Sequence, residues 1–314
     1  MRLLLRLGVS AALMAFVLIQ SELAQIGTLI REANFALIGC AFLAYFVSYF
    51  ASVSRWKLLL SVHGGNLGFG YLYASSMIGM FFNQVLPTTV GGDVMRYQYT
   101  SGAGRGAALS AILMDRILGA VSIMLVALAG LFFAARVGAV PEHLLEAIVL
   151  LLMLGVVSLG VVFLVPRSRL DALRSVHGRI PASIGNFVER LFAAFAPFRG
   201  RRDVLVKSLI WSLLLQATVV GHYYLVALAV GLAVPLGAFV LIVPLAIAIM
   251  MLPISINGIG VRESVFVYLF GLYGAPSAES ITFSWLVYAV IVAQGLLGGV
   301  VFTTMHPKKV RAVG

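Results

Sequence analysis

Apolar residues run through this chain in long blocks. Six of them, at 3–21, 34–54, 112–135, 144–165, 207–230 and 280–304, reach or approach the length of about 20 residues that a helix needs to cross a bilayer. Two further blocks, 71–90 and 236–256, are broken from within. Asn83, Gln84 and Pro87 interrupt the first, and Pro244, Pro253 and Asn257 the second. The pattern predicts an all-α, polytopic membrane helix bundle in which these two blocks either cross the membrane or enter it and return.

Charge chooses between the two. The stretch Arg167 to Lys207 holds nine Lys or Arg against Asp171, Glu189 and Asp203, so it is expected on the cytoplasmic side. If the broken blocks return, that loop shares a side with Arg2, Arg6, Arg55, Lys57, Arg105, Lys308, Lys309 and Arg311. If both cross, one basic group ends on the wrong side. The expectation is therefore about six full spans plus two re-entrant helical hairpins, with both termini cytoplasmic. Residues 1–314 form a single membrane domain with halves at 1–136 and 137–314, the second including the basic loop 166–207.

An odd number of crossings per half makes the halves an inverted repeat. A shift of 166 residues carries the second and third spans onto the fifth and sixth. It fails for the first and fourth, because the basic insertion has no counterpart in the short outer loop expected at 22–33. Within the insertion, Ile184, Phe187, Val188, Leu191, Phe192, Phe195 and Phe198 fall near helical spacing. That predicts an amphipathic helix on the cytoplasmic leaflet, or one packed on the end of the bundle. The basic, apolar start of the chain is read as a retained first helix, since "SELAQIG" makes a poor cleavage site.

The same shift superimposes two motifs. In "LPTTVGGDVMR" (Leu86–Arg96) and "LPISINGIGVRE" (Leu252–Glu263), Leu, Pro, Gly and Arg recur at equal spacings. Pro87 and Pro253 each end a preceding helix. Gly91, Gly92, Gly258 and Gly260 permit a sharp reversal, including positive φ. A helix restarting after each turn presents N–H groups and its positive dipole end to an anion. Arg96 and Arg262 follow about one turn later, where a guanidinium suits a pair of phosphate oxygens. Asp93 and Glu263 balance and aim them, and Asn83 and Asn257 supply polar lining. The competing reading makes both arginines interface anchors of a tight turn. Asp115 and Arg116, in "ILMDRILG", lie at the surface if their helix begins near Ile117. They lie about 15 Å deep if it begins near Arg105. Gln216, His222, Tyr223, Tyr224 and Gln294 read as interhelical hydrogen bonds or interface anchors. Gly295 and Gly299 read as close helix packing.

Composition narrows the chemistry. Of 314 residues 61% are hydrophobic and 11% charged, with mean hydropathy +1.06, whereas a soluble domain carries roughly a quarter charged. The net charge of +11 is read as topology signal and anionic-lipid contact, not nucleic-acid binding. The lone Cys40 excludes an intrachain disulfide. No Walker loop, HExxH, CxxC or GxSxG occurs, the five histidines are scattered, and the eleven acids form no cluster for magnesium. Neither an enzyme nor a cofactor or metal is expected.

Asn83, Pro87, Gly91, Gly92, Asp93 and Arg96, then Asp115 and Arg116, then Pro253, Gly258, Gly260, Arg262 and Glu263 together resemble the lysylphosphatidylglycerol synthase transmembrane-region family, often called flippase-like membrane proteins. The likeness covers about residues 5–304. It implies lipid translocation without the soluble synthase domain of the bifunctional members. Stand-alone relatives serve other lipids, including polyprenyl-linked sugars and hopanoid-type lipids. The expected function is a flippase or scramblase-like transporter in the plasma (inner) membrane, moving a phosphate-bearing lipid with an anionic headgroup. Arg96 and Arg262, with the four glycines, would bind the phosphate. The alternatives are a non-enzymatic partner of a glycosyltransferase or lipid-modifying enzyme, and an ion-coupled transporter of a small anion.

Overall fold

A computed structural model of the chain describes residues 8, 12–15, 23–65, 67–86, 91–137, 145–146, 148–150, 153, 155, 195–252, 254–255 and 257–305. Among them the fold is all helical. In chain order the helices are α1 (Leu23–Glu32), α2 (Phe35–Ser61), α3 (Phe69–Val85), α4 (Gly91–Thr100), α5 (Arg105–Val137), α6 (Arg202–Val230), α7 (Leu236–Met250), α8 (Val261–Gly271) and α9 (Ser277–Thr304). Four of these, α2, α5, α6 and α9, are long and apolar enough to cross a membrane. The chain is thus an integral membrane protein. The spans expected at 3–21 and 144–165, the helix expected from Ile184, and the prolines Pro87 and Pro253 fall largely or wholly outside the described residues.

The remaining helices come in short pairs. Helices α3 and α7 have 17 and 15 residues, roughly 26 and 23 Å at 1.5 Å per residue. Each falls short of the ~30 Å hydrocarbon thickness. Each is followed, after a short connection, by a shorter helix, α4 or α8. Helix α4 doubles back along α3: Gly92 faces Gly79 and Asn83, while the Tyr71 hydroxyl donates to the Tyr99 carbonyl at 2.9 Å. A shift of 166 residues carries α2, α3, α4 and α5 onto α6, α7, α8 and α9. The poorest fit is at Arg105, which lands on Gly271, six residues before Ser277.

Packing repeats the correspondence with partners exchanged. Helix α3 lies against α9, α7 lies against α5, and α2 lies against α6. Lipid offers helices little hydrophobic reason to associate, so small residues that admit backbone set these contacts. A Cβ on Gly298 would overlap the Met77 carbonyl, and one on Gly130 would stand 2.5 Å from the Leu241 nitrogen. On Gly295 and Gly299 it would press on Gln84 and Phe81, which makes the predicted GxxxG a helix-packing face.

Two details depart from the sequence reading, the loop at 22–33 and Pro244, and two decide between alternatives it left open, the start of α5 and the packing of the basic segment. Residues expected as an outer loop form α1, because Ile26, Leu29 and Ile30 share one face and pack with Ala278 and Ile281 of α9. Helix α5 starts seven residues before the expected 112, directly after Gly104, whose φ of +125° sets the turn. Pro244 leaves α7 unbroken, so the break in this block comes after Met250. At the described end of the basic segment, Phe195 and Phe198 join an apolar cluster with Trp56, Leu59 and Leu60, so these residues pack on the bundle.

Candidate functional site

Helix α5 beginning at Arg105 settles the position of Asp115, which lies ten residues or ~15 Å along it. Asp115 is 6% exposed, and a carboxylate so deeply buried requires a counter-charge. It has two. Arg55 of α2, itself 4% exposed, donates from Nε to Oδ1 at 2.6 Å, and Arg96 of α4 donates from Nη1 to Oδ2 at 3.1 Å. Arg55 also donates from Nη1 to the Ser212 hydroxyl of α6 at 2.9 Å. Asp93, at the start of α4, receives Arg116 from α5 through Nε at 2.6 Å and Nη2 at 2.5 Å, and lies 3.8 Å from Arg96 Nη1. Five charged side chains from α2, α4 and α5 thus form one network.

Within this network Arg96 keeps donors to spare. Its guanidinium carbon sits 4.0 Å from the centre of the Trp56 ring, a cation–π contact. Its Nε and Nη2 are buried with no hydrogen-bond partner among the described residues. A buried charged donor left unmade costs more than the ~1–3 kcal/mol of a neutral one, so the arrangement favours an incoming acceptor. Beside the network, Arg116 shares a cavity of about 270 Å³ with Ile247, Met250 and Met251 of the second hairpin.

The second hairpin carries a neutral, closed counterpart. Arg262 is 4% exposed and Glu263 fully buried. Arg262 donates to Glu263 Oε1 from Nη2 at 2.8 Å and from Nε at 3.2 Å. Ser284 of α9 accepts from Arg262 Nε at 3.0 Å and donates to Glu263 Oε1 at 3.1 Å. The guanidinium also lies 4.0 Å over the Tyr288 ring. Both arginines therefore follow one plan, an aromatic face on one side and a carboxylate on the other. Among the described residues, only the first retains buried donors without partners.

The glycines serve the two turns differently. Gly258 and Gly260 have φ of +76° and +80°, and Asn257 has +51°, so the second turn uses left-handed backbone as expected. Gly91 and Gly92 begin α4 with ordinary φ. They are needed for proximity, since a Cβ on Gly92 would lie 2.5 Å from Asn83 Nδ2. The Gly92 N–H donates to Asn83 Oδ1 at 2.6 Å and the Gly260 N–H to Glu263 Oε2 at 2.8 Å, so both donors are engaged within the protein. The two hairpins meet where Asn257 Nδ2 donates to the Gln84 carbonyl at 3.0 Å. Arg96 and Arg262 themselves have separate sets of partners. Of the other polar residues, His222 Nδ1 lies 2.9 Å from the Ala41 carbonyl and Gln294 Nε2 donates to the Phe42 carbonyl at 2.5 Å, both joining helices as expected.

Arg55 and Trp56 escaped the sequence reading. Arg55 was grouped with Lys57 as a charge at the membrane surface, but α2 continues to Ser61 and turns Arg55 inward. The signal available was Asp115, whose burial demands a partner from another helix.

The family model of the lysylphosphatidylglycerol synthase TM region matches residues 3–299. The chain belongs to this family. No curated protein matches it at a significant level. The region named in the lysylphosphatidylglycerol synthase family is its membrane part, in keeping with the apolar helices and with a charged network held among them.

Proposed function

We propose that this protein moves a phosphate-bearing lipid between the leaflets of its membrane. The observation that carries the proposal is Arg96, whose Nε and Nη2 are buried with no partner among the described residues, inside a network of charged side chains. An anionic headgroup satisfies both at once. The α3–α4 and α7–α8 pairs are re-entrant hairpins that enter from opposite sides, and the halves are an inverted repeat whose two hairpin turns meet at Asn257 and Gln84. The headgroup passes along this seam while its tails stay in lipid, and the apolar wall of Ile247, Met250 and Met251 beside Arg116 suits the tails' upper carbons.

In this mechanism Arg96 holds the phosphate, Trp56 keeps the guanidinium flat and Asp115 receives it when the lipid leaves. Arg262 stabilises the second hairpin through Glu263, and reaches a phosphate only when that carboxylate gives way. The protein acts without chemistry on the lipid, in the plasma (inner) membrane, with both termini on the cytoplasmic side as its basic segments direct.

Native mass spectrometry of protein purified gently from its own membranes, beside Arg96→Gln, tests the proposal. A defined phosphate-bearing lipid held by the wild type and lost from the variant supports it. The same lipids on both would return Arg96 to a turn anchor and favour a scaffold for a lipid-modifying enzyme.

A further inference from the structure

We infer that Trp56 binds the headgroup directly: its indole N–H and the Nε–Nη2 edge of Arg96 form one three-donor site for a phosphodiester. The inference rests on the reading of Arg96 as the phosphate-binding group and adds a second residue to it. Trp56 is fully buried, and its Nε1 has no hydrogen-bond partner among the described residues. An indole nitrogen only donates, so burial leaves this N–H with nothing in place of the water it has lost. The contact with Arg96 does not account for it. A cation is held by the face of a ring, and phenylalanine offers such a face without a buried donor. The guanidinium carbon stands 4.0 Å from the ring centre, and the indole nitrogen is on the rim of that ring. It therefore lies within a few ångströms of the unmatched donors of Arg96.

The open edge of Arg96 is the one that takes an oxyanion elsewhere in this protein. Nε and Nη2 are the side-on fork of a guanidinium, two nearly parallel donors suited to carboxylate or phosphate oxygens. In Arg262 both donate to Glu263 Oε1, at 3.2 and 2.8 Å. In Arg116 both meet Asp93 Oδ2, at 2.6 and 2.5 Å. Arg96 instead reaches Asp115 through Nη1 and leaves the fork without a partner. The shift that carries Arg96 onto Arg262 carries Tyr97 onto Glu263, so the first site lacks the carboxylate that closes the second. A phosphodiester has two free oxygens. One sits on the fork, as Glu263 Oε1 does on Arg262, and the other accepts from Trp56.

The test uses the full chain in maltoside micelles, which contain no phosphate, titrated with phosphatidylglycerol. Trp56 is replaced by benzothienylalanine, which keeps the shape and face of the ring and has sulfur in place of the N–H. Loss of one charge-assisted hydrogen bond should weaken binding about tenfold. Without lipid, this protein should unfold at the wild-type midpoint or above, because no bond within the protein has been removed. Phosphatidylglycerol should then raise its midpoint less than that of the wild type. Arg96→Gln should also weaken binding about tenfold or more. Arg96→Lys keeps the charge but has no fork, and should lose about as much.

Wild-type affinity in the benzothienylalanine protein, with the lipid lost from Arg96→Gln, would overturn the inference and leave the proposed function standing. So would a lower midpoint without lipid, which marks the N–H as bonded within the protein and its role as structural. If the benzothienylalanine protein does not fold, Trp56→Phe decides: a loss of about tenfold supports the inference, and wild-type affinity overturns it. Arg96→Lys binding like wild type would overturn the fork. Arg96→Gln binding like wild type would instead sink the reading of the site. Glycerophosphoglycerol, the same headgroup without tails, separates the two sources of phosphodiester. Weak competition supports a lipid ligand, while competition equal to the lipid's own affinity overturns that reading in favour of a soluble anion.

Discussion

Replacing Gly92 by Ala adds one methyl group and should destabilise the protein, although alanine is the better helix former. Gly92 lies in α4 with ordinary φ, so propensity alone predicts a gain of up to about 1 kcal/mol. The added Cβ would stand 2.5 Å from Asn83 Nδ2, 2.9 Å from its Cγ and 2.8 Å from the Gly79 carbonyl oxygen. The last is backbone of α3 and cannot rotate away. Asn83 can move only by releasing the Gly92 N–H it accepts at 2.6 Å, a loss of about 1 kcal/mol. Reaching ordinary contact, which begins at 3.4 Å, requires α4 to shift from α3 by several tenths of an ångström. Overpacking of this kind costs about 1–3 kcal/mol. The expected net loss is about 1–3 kcal/mol, read as a lower unfolding midpoint in mild detergent. Gly106→Ala is the control, because nothing lies within 4 Å of its Cβ, and it should be neutral or slightly stabilising. A Gly92→Ala protein as stable as wild type would refute the close α3–α4 contact, and with it the placing of Arg96 one turn further along.

Glu263→Gln should lower stability by about 3–5 kcal/mol, because it strands the buried Arg262 cation; Arg262→Met with Glu263→Leu should recover much of it in the same unfolding assay. Trp56→Leu removes the ring beneath Arg96, worth about 0.5–2 kcal/mol. Phosphatidylglycerol affinity should fall by roughly twofold to thirtyfold. His63, in the turn after α2 and edge-on to Phe198, is held below its ordinary pKa by burial. Its neutral form is the one the fold accepts, so its contribution is present above pH ~6.5 and lost as pH falls through the lowered folded value. His63→Leu should therefore unfold with a weaker dependence on pH between neutral and mildly acid conditions.

Hydrophobic blocks located α2, α6 and α9, falling short of their ends by at most seven residues, because helix length in a membrane is set by apolar length. The paired motifs located both hairpins for a related reason: irregular backbone needs glycine, and a buried arginine needs a purpose. The rest depended on facts that a linear pattern does not carry. Ile26, Leu29 and Ile30 are too few to announce a helix until α9 lies beside them. Arg55 looks like Lys57 in sequence, and only the rotation of α2 against α5 and α6 separates a buried ion pair from a surface charge. Gly91 and Gly92 read as turn residues, yet what requires Gly92 is Gly79, thirteen residues upstream on a neighbouring helix. The difference between Arg96 and Arg262 was also hidden, since a guanidinium's spare donors can be counted only once its neighbours are placed.

The most direct test of the central claim is the movement of acyl-labelled phosphatidylglycerol across phosphatidylcholine vesicles containing the purified protein, followed by bleaching the outer leaflet. Wild-type vesicles should expose the inner-leaflet label, while Arg96→Gln vesicles and protein-free vesicles should bleach only the outer fraction. Equal exposure in wild type and Arg96→Gln would contradict the account.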